Sequence, residues 1–474
     1  MRGPSYGDDS PIAAFATAPG GSALTLIRCS GKGAVELAAG VFSAREKLLR
    51  APGHTIVRGW IVDGGARIDE ALVSVFRAPK SYTGEDGLDV SCHGGLAAGS
   101  GVMAALRSAG FRDALPGEFT FRAFMNGKLD LTRCESVMEL VCARTERARA
   151  GAAGRLSGVL EREIDAVKKK LVEVLAGAEI YLDYSEDEIG ADPGEDAGLL
   201  PGRPLAEEAL ARLRRLAESW NRERIYWDGL LAVIAGRPNA GKSSLFNLLL
   251  REERSIVAEA PGTTRDWIEG WVSMGGVPIR LVDTAGLRDS ADPVEAIGVE
   301  RSLGLLESAD MVLYVVDGAR GLSGEDAAFL RASGPAPRRP LIALWNKADV
   351  ARVPPPASTE TRGLIGISAK TGEGIGELAS AISGAAEEIS GGAGLDVGPD
   401  GPHGAALGSE RQKSLVGGAV AALEEALALA SRGEPLDLIA PLLREAVSLL
   451  GEITGEVSTA DILEEMFGKF CVGK

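Results

Sequence analysis

Residues 230–236 read LLAVIAG and run directly into GRPNAGKS at 236–243. The first stretch is a short apolar run ended by glycine, which predicts a buried strand. The second matches G-x-x-x-x-G-K-[ST] and opens a predicted helix, the context that a phosphate-binding loop needs. Its glycines let the backbone wrap phosphate oxygens, and the N–H groups at the helix start point at negative charge. Lys242 is placed to reach the β- and γ-phosphates, and Ser243 to ligate Mg²⁺.

Three further motifs follow in order: DTAG at 283–286, NKAD at 346–349 and SAK at 368–370. DTAG ends the predicted strand VPIRLV, where Asp283 reaches Mg²⁺ through water and Gly286 senses the γ-phosphate. NKAD ends the predicted strand PLIALW. Asp349 accepts from the N1 and N2 groups of guanine, a donor pair that adenine lacks, so the site selects guanine. The nucleotide-binding set is therefore Asn239, Ala240, Gly241, Lys242, Ser243, Ser244, Asp283, Thr284, Ala285, Gly286, Asn346, Lys347, Ala348, Asp349, Ser368, Ala369 and Lys370. The loop from Ala258 through Glu259, Ala260, Pro261 and Gly262 to Thr263 and Thr264 joins it. By position Thr264 is the threonine that meets Mg²⁺ when the γ-phosphate is present. Such loops order with the triphosphate and relax after hydrolysis.

Many GTPases orient the attacking water with a Gln just after DTAG; here that position is Leu287. Two features offer a substitute. Asn239 and the stretch 257–264 can hold a monovalent cation beside the phosphates, supplying transition-state charge. Glu295, in LRDSADPVEAIGVER, can orient water directly or through a second water. A solvated glutamate at a helix start is the other reading of that position.

Outward from this site, strands and helices alternate to about residue 389, which predicts a parallel sheet covered by helices. Before it, residues 11 to about 125 read as mixed strand and helix, with EALVSVF (70–76) and GLDVSC (87–92) as strands. From about 129 to 179 one proline-free helical stretch is predicted, then a loop at 190–204 and a second helix leading to Trp227. After a Gly-rich linker at 390–408, two more helices follow. Their apolar faces are expected to pack with the earlier helices as one bundle. The fold is thus a P-loop α/β domain inserted in a helical domain and preceded by an α+β domain. The divisions fall at 1–127, 128–226, 227–389 and 390–474.

The 474 residues carry a net charge of −16. That lacks the basic footprint of a strong nucleic-acid binder, so any RNA is met through a local patch or a more basic partner. The five cysteines have no C-x-x-C spacing, which fits a reducing compartment. No uninterrupted apolar run approaches the ~18 residues of a membrane span, and the first ten residues lack a signal pattern. A cytoplasmic location is expected.

Several segments together resemble the tRNA wobble-uridine-modifying GTPases, the MnmE (TrmE) family. They are RAPKSYTGED (77–86), HGG (93–95), PGEFTFRAFMNGKLDLTRCESV (116–137), PGTTRD, DTAGLR, VEAIGVERS and GEITGEVSTADILEEMFGKFCVGK (451–474). The resemblance spans essentially the whole chain. It implies a homodimer joined through an N-terminal domain that binds 5-formyl- or 5,10-methylene-tetrahydrofolate. Arg28, Glu85, Lys128 and Lys474 match the folate contacts. Asn239, Ala258, Ala260 and Thr263 match the K⁺ ligands, the two alanines through their carbonyls. Glu295 matches the catalytic glutamate, acting beside Lys242. The family works with a flavin-containing partner, MnmG (GidA), that also binds tRNA. Together they attach an aminomethyl or carboxymethylaminomethyl group to C5 of the wobble uridine. Cys471 matches the near-terminal cysteine; a thiol role in chemistry and a small buried hydrophobe are its two readings. The turn PGGSALTLIRCSG departs from the Arg- and Gly-richer family pattern.

Two other functions compete with this one. A ribosome-assembly GTPase usually carries a basic RNA-binding appendage, which the chain lacks. A pure signalling switch needs only the nucleotide domain.

Overall fold

The computed structural model describes residues 5–18, 20–183, 200–252, 269–283, 308–332, 339–351, 364–390 and 405–473. It divides into two compact units. One comprises Met1–Met138, Arg155–Leu210 and Ser414–Lys474; the other comprises Glu139–Gly154 and Ala211–Lys413.

The first unit is built on a sheet of strands β1 (Ile12–Phe15), β2 (Leu24–Ser30), β3 (Thr55–Asp63), β4 (Ala66–Phe76), β5 (Gly87–His93) and β6 (Arg112–Asp113). Their order is β3-β4-β5-β2-β1-β6, antiparallel except for β1 with β6. Side chains alternate between faces along a strand. Val73 and Val75 of β4 and Leu88, Val90 and Cys92 of β5 are buried, against the helices Ala34–Gly40 and Leu96–Ala109. Asp89 and Ser91 face the other way. The register pairs Arg28 with Asp89, so both project from the face opposite this core. Gly64 and Gly65 turn β3 into β4 with φ of 55° and 85°, the positive pair that a tight hairpin requires.

The helical stretch read as continuous from about 129 is three helices: Leu131–Cys142, Glu146–Leu156 and Val159–Asp183. Local chemistry overrides the periodicity. The Thr145 hydroxyl accepts from the Ala148 N–H at 3.2 Å and starts a new helix. Gly158, with φ of 82°, donates to the Arg155 carbonyl at 2.8 Å and stops it. The helix Val159–Asp183 buries Leu160, Ile164, Val167, Leu171, Val174 and Ala178, one face at alternating steps of four and three. It packs against Leu436–Thr454, which buries Ile439, Leu443, Ala446 and Leu450. Truncating a residue such as Leu171 to Ala costs about 2–5 kcal/mol. Arg444 pairs with Glu179 at 3.0 Å, and Lys168 pairs with Glu456. The chain segments on either side of the inserted domain therefore share one core.

Helix Glu410–Ser431 is, by length and composition, apolar enough to cross a membrane. Glu424 and Glu425 interrupt its apolar run. Its buried residues Val416, Ala419, Leu423, Ala426 and Ala430 form a single stripe, the pattern of an amphipathic helix packed in a protein core.

The second unit holds β7 (Leu230–Gly236), β8 (Glu269–Met274), β9 (Val277–Asp283), β10 (Met311–Asp317), β11 (Leu341–Asn346) and β12 (Ile365–Gly366). Their order is β12-β11-β10-β7-β9-β8. Every pairing is parallel except the β8–β9 hairpin. Strands covered on both faces are apolar throughout, and β7 and β10 are buried along nearly their whole length. Leu313 and Val315 join the core on one face, while Val312, Tyr314 and Val316 join the other. Strand β7 lies between β10 and β9. The carboxyl ends of β7, β9, β10 and β11 deliver Gly236, Asp283, Asp317 and Asn346. In open α/β sheets that edge is where ligands bind.

Candidate nucleotide site and N-terminal cavity

The loop after β7 is held in a conformation that few residues adopt. Asn239 sits at φ 63° and Gly241 at φ 98°. A Cβ at Gly241 would lie 2.2 Å from Asn346 Nδ2, and one at Gly236 would lie 2.3 Å from the Val315 carbonyl oxygen. Glycine is thus demanded by both backbone and packing. Helix Lys242–Glu252 starts at once, directing the N–H groups of its first turn and the positive end of its dipole into the loop.

Lys242 is buried, and its Nζ donates to the carbonyls of Gly236 at 3.0 Å and Arg237 at 2.9 Å. The ammonium is thereby fixed within the loop. Ser243 Oγ donates to Asp283 Oδ2 at 2.7 Å. This hydroxyl–carboxylate pair is a set of hard oxygens that suits Mg²⁺.

The NKAD and SAK motifs are tied to this loop. Asn346 Nδ2 donates to the Ala240 carbonyl at 2.8 Å, and its Oδ1 accepts from the Ala369 N–H at 2.9 Å. Asn346 therefore rivets three motifs together. Ser368 Oγ donates to Asp349 Oδ1 at 2.9 Å, fixing that carboxylate. The Ala348 N–H donates to the Ile367 carbonyl. Lys347 Nζ donates to the Asn239 carbonyl at 3.0 Å and to Asp317 Oδ2 at 2.7 Å. Asp317 was not found by sequence reasoning. Its signal was available: it ends the apolar strand MVLYVVD, as Asp283 ends β9.

The structure thus assembles Asn239, Ala240, Gly241, Lys242, Ser243, Asp283, Asn346, Lys347, Ala348, Asp349, Ser368 and Ala369 at one edge. Ser244 and Lys370 are exposed beside them. Ala258, Glu259, Ala260, Pro261, Gly262, Thr263, Thr264, Thr284, Ala285, Gly286, Glu295 and Lys474 lie outside the described residues.

The first unit carries a cavity of about 120 Å³, lined in part by Arg28, Ser30, Tyr82, Thr83, Asp89 and Phe119. Arg28 Nε pairs with Asp89 Oδ1 at 3.3 Å, and its Nη1 donates to the Gly473 carbonyl at 3.4 Å. Its guanidinium carbon is 5.7 Å from the Tyr82 ring centre and 6.0 Å from that of Phe119, within cation–π range. Glu85 stands behind the wall. It accepts from Ser30 Oγ at 2.8 Å and from Arg122 Nη1 at 3.1 Å. Arg122 in turn pairs at 3.0 Å with Glu118, which is fully buried. Lys128 is exposed, and its Nζ donates to the Pro79 carbonyl at 3.0 Å.

The C-terminal segment returns to this unit. The Gly117 N–H donates to the Cys471 carbonyl at 3.3 Å. Cys471 is exposed, so it is not the buried hydrophobe of the blander reading. Cys29, in the cavity wall, is the opposite case. Burial, aided by the Asp89 charge, pushes its thiol far above the usual range, leaving it without thiolate reactivity near neutral pH.

Comparison with known proteins places both regions in one family. Residues 11–128 match the family model described as GTP-binding protein TrmE N-terminus, and residues 131–471 match the MnmE helical domain. The chain is 41% identical to the tRNA modification GTPase MnmE of Treponema denticola, covering 99% of each chain. It is 40% identical to that of Treponema pallidum over 100% of both, and 39% identical to that of Carboxydothermus hydrogenoformans over 98% of this chain and all of the other. The nucleotide loop, the motifs tied to it and this end-to-end likeness agree, and the chain belongs to the MnmE family of tRNA modification GTPases.

Proposed function

We propose that this GTPase uses potassium in hydrolysis and works with a flavin-containing partner of the MnmG (GidA) type in the cytoplasm. The pair adds an aminomethyl or carboxymethylaminomethyl group to C5 of the wobble uridine of certain tRNAs. One observation carries the reading: the same chain holds a nucleotide edge built from the ends of four strands and, in its other unit, a cavity with a cation fixed by Asp89 and the Gly473 carbonyl. A switch alone has no use for the second.

In this proposal the segments 1–127, 128–226, 227–389 and 390–474 act as folate-binding, helical, nucleotide-binding and helical parts. Two copies join through the first. Arg28, Lys128 and Lys474 meet the carboxylates of a formyl- or methylene-tetrahydrofolate, and Glu85 acts on its ring. Cys471, exposed on the returning segment, is available to that chemistry.

At the nucleotide edge Lys242 and the loop N–H groups bind the phosphates. Asp349, held by Ser368, reads guanine. Ser243 and Thr264 would hold Mg²⁺, which supplies charge neutralisation at the phosphates when bound. Asn239, Thr263 and the carbonyls of Ala258 and Ala260 would hold K⁺, which supplies the charge that an arginine finger brings elsewhere. Asn239 fits this part: it is exposed in the loop, and among the described residues its side chain makes no hydrogen bond. Glu295 orients water where Leu287 replaces the usual Gln. The net charge of −16 suits a division of labour in which the partner carries most of the RNA-binding surface.

Chromatography of tRNA nucleosides from cells lacking the protein tests the reading. Loss of a wobble-uridine modification with intact ribosomal subunits is expected. Unchanged nucleosides with accumulated ribosome precursors would replace it with a ribosome-assembly role. GTP turnover is expected to be much faster in K⁺ than in Na⁺. Equal rates would remove the cation from the mechanism.

A further inference from the structure

Asp317 ends β10 directly beside Asn346 of β11, and its carboxylate is anchored at both oxygens. Oδ1 accepts from the Ala319 N–H at 3.1 Å, and Oδ2 accepts from Lys347 Nζ at 2.7 Å. The Asp317 side chain is 13% exposed, so water screens this pair weakly. The same Lys347 Nζ donates to the Asn239 carbonyl at 3.0 Å. Both ends of that bond lie in the left-handed region, Asn239 at φ 63° and Lys347 at φ 67°. Residues with a Cβ hold that conformation where their surroundings impose it. The contact is therefore built into the loop and is no chance meeting of surface groups.

The consequence is electrostatic. Asn239 is the loop residue whose side chain would ligate K⁺, yet an ammonium is bonded to its own backbone. A second ammonium, that of Lys242, sits in the same loop on the carbonyls of Gly236 and Arg237. A further cation brought beside two such groups is repelled unless anions offset them. Phosphate offsets Lys242 once nucleotide is bound. Glu325 offsets Arg237 at 3.2 Å. Asp317 offsets Lys347. Arg320 comes no nearer to Asp317 than 3.8 Å and is 71% exposed, so the carboxylate serves Lys347 first.

We propose that Asp317 is a positioning residue for cation-dependent hydrolysis. It holds Lys347 on the Asn239 carbonyl and neutralises it, so that Lys347 tethers the loop without repelling a monovalent cation from it. The proposal rests on reading the loop as the K⁺ site, and it assigns the charge balance of that site to a residue outside the ligand set.

Titration of the full-length protein with a fluorescent, non-hydrolysable GTP analogue tests this, with K⁺ exchanged against choline at constant ionic strength. A cation bound beside the nucleotide raises nucleotide affinity by linkage, so the affinity of the unaltered protein is expected to climb as K⁺ replaces choline. Asp317→Asn, which keeps the shape and removes the charge, is expected to need about 3–30-fold more K⁺ for half of that climb. Asp317→Ser is expected to shift the midpoint in the same direction, and Asp317→Glu to keep it within about 3-fold. A merely structural role lowers affinity by one factor at every K⁺ concentration and leaves the midpoint in place, which overturns the proposal. An unaltered protein whose affinity ignores K⁺ gives a different result: the potassium reading itself falls, and the assignment of Asp317 with it.

Discussion

In the nucleotide unit the phosphate-binding groups come from consecutive residues, 236–243, on one turn between a strand and a helix. In the N-terminal cavity Arg28 is held by Asp89, 61 positions away, and by Gly473, 445 positions away. The first site is made mainly of backbone, so it needs glycines at fixed spacing and leaves a contiguous trace. The second is made of side chains brought together by strand register and by the returning C-terminal segment, so it leaves none. Backbone sites tolerate almost no side-chain change at their glycines. Side-chain sites spread their dependence over residues that look ordinary one at a time.

The largest effect expected from this contrast lies in the nucleotide unit. Glu295→Ala is expected to keep GTP affinity and lose turnover by about 10²–10⁴-fold, the reach of a water-orienting base. Single-turnover kinetics with a parallel nucleotide titration measures it, and near-normal turnover removes Glu295 from the mechanism. Next comes Gly241→Ala. Its Cβ meets Asn346 Nδ2 at 2.2 Å, at a φ of 98°. Backbone strain of ~1–3 kcal/mol then lowers GTP affinity about 10–100-fold. Fluorescent-nucleotide titration reads the change, and a wild-type affinity would show that the loop gives way more easily than its packing implies. The smallest effect is expected at the cavity. A Cβ at Gly473 meets the Phe15 carbonyl at 2.4 Å, at a φ of 94°. Gly473→Ala displaces one of several holds on Arg28, so folate affinity falls by only about 3–10-fold. Folate titration read beside GTP affinity on the same sample checks it. A larger loss would mean that the cavity hangs on its backbone as the nucleotide loop does.

The inserted domain was legible because its physics is local. LLAVIAG is apolar at every position since β7 is covered on both faces, and glycine marks where the backbone must turn. NKAD and SAK stand apart in sequence, yet each follows its own strand, so their meeting at Asn346 follows from a parallel sheet. Asp317 escaped notice because a lone acid after an apolar run reads as solvated; only the ion pair with Lys347 gives it a role. The helix breaks at Thr145 and Gly158 were hidden because apolar spacing of three and four continues through them. In the N-terminal unit, Arg28 and Glu85 came from resemblance to a family rather than from their surroundings. Asp89 was visible only as one polar residue in an alternating strand. The register with β2, which no local pattern encodes, is what puts it beside Arg28.

The central claim is that GTP hydrolysed in one unit serves a carbon transfer that draws on the other. A mass balance tests it most directly, with the purified chain, its flavoprotein partner, unmodified tRNA, GTP, K⁺ and a folate labelled in its one-carbon group. The account predicts label at C5 of the wobble uridine, in amounts that vanish when GTP is replaced by a non-hydrolysable analogue. Label that arrives in full with the analogue, or GTP consumed in K⁺ with no label on the tRNA, would contradict it.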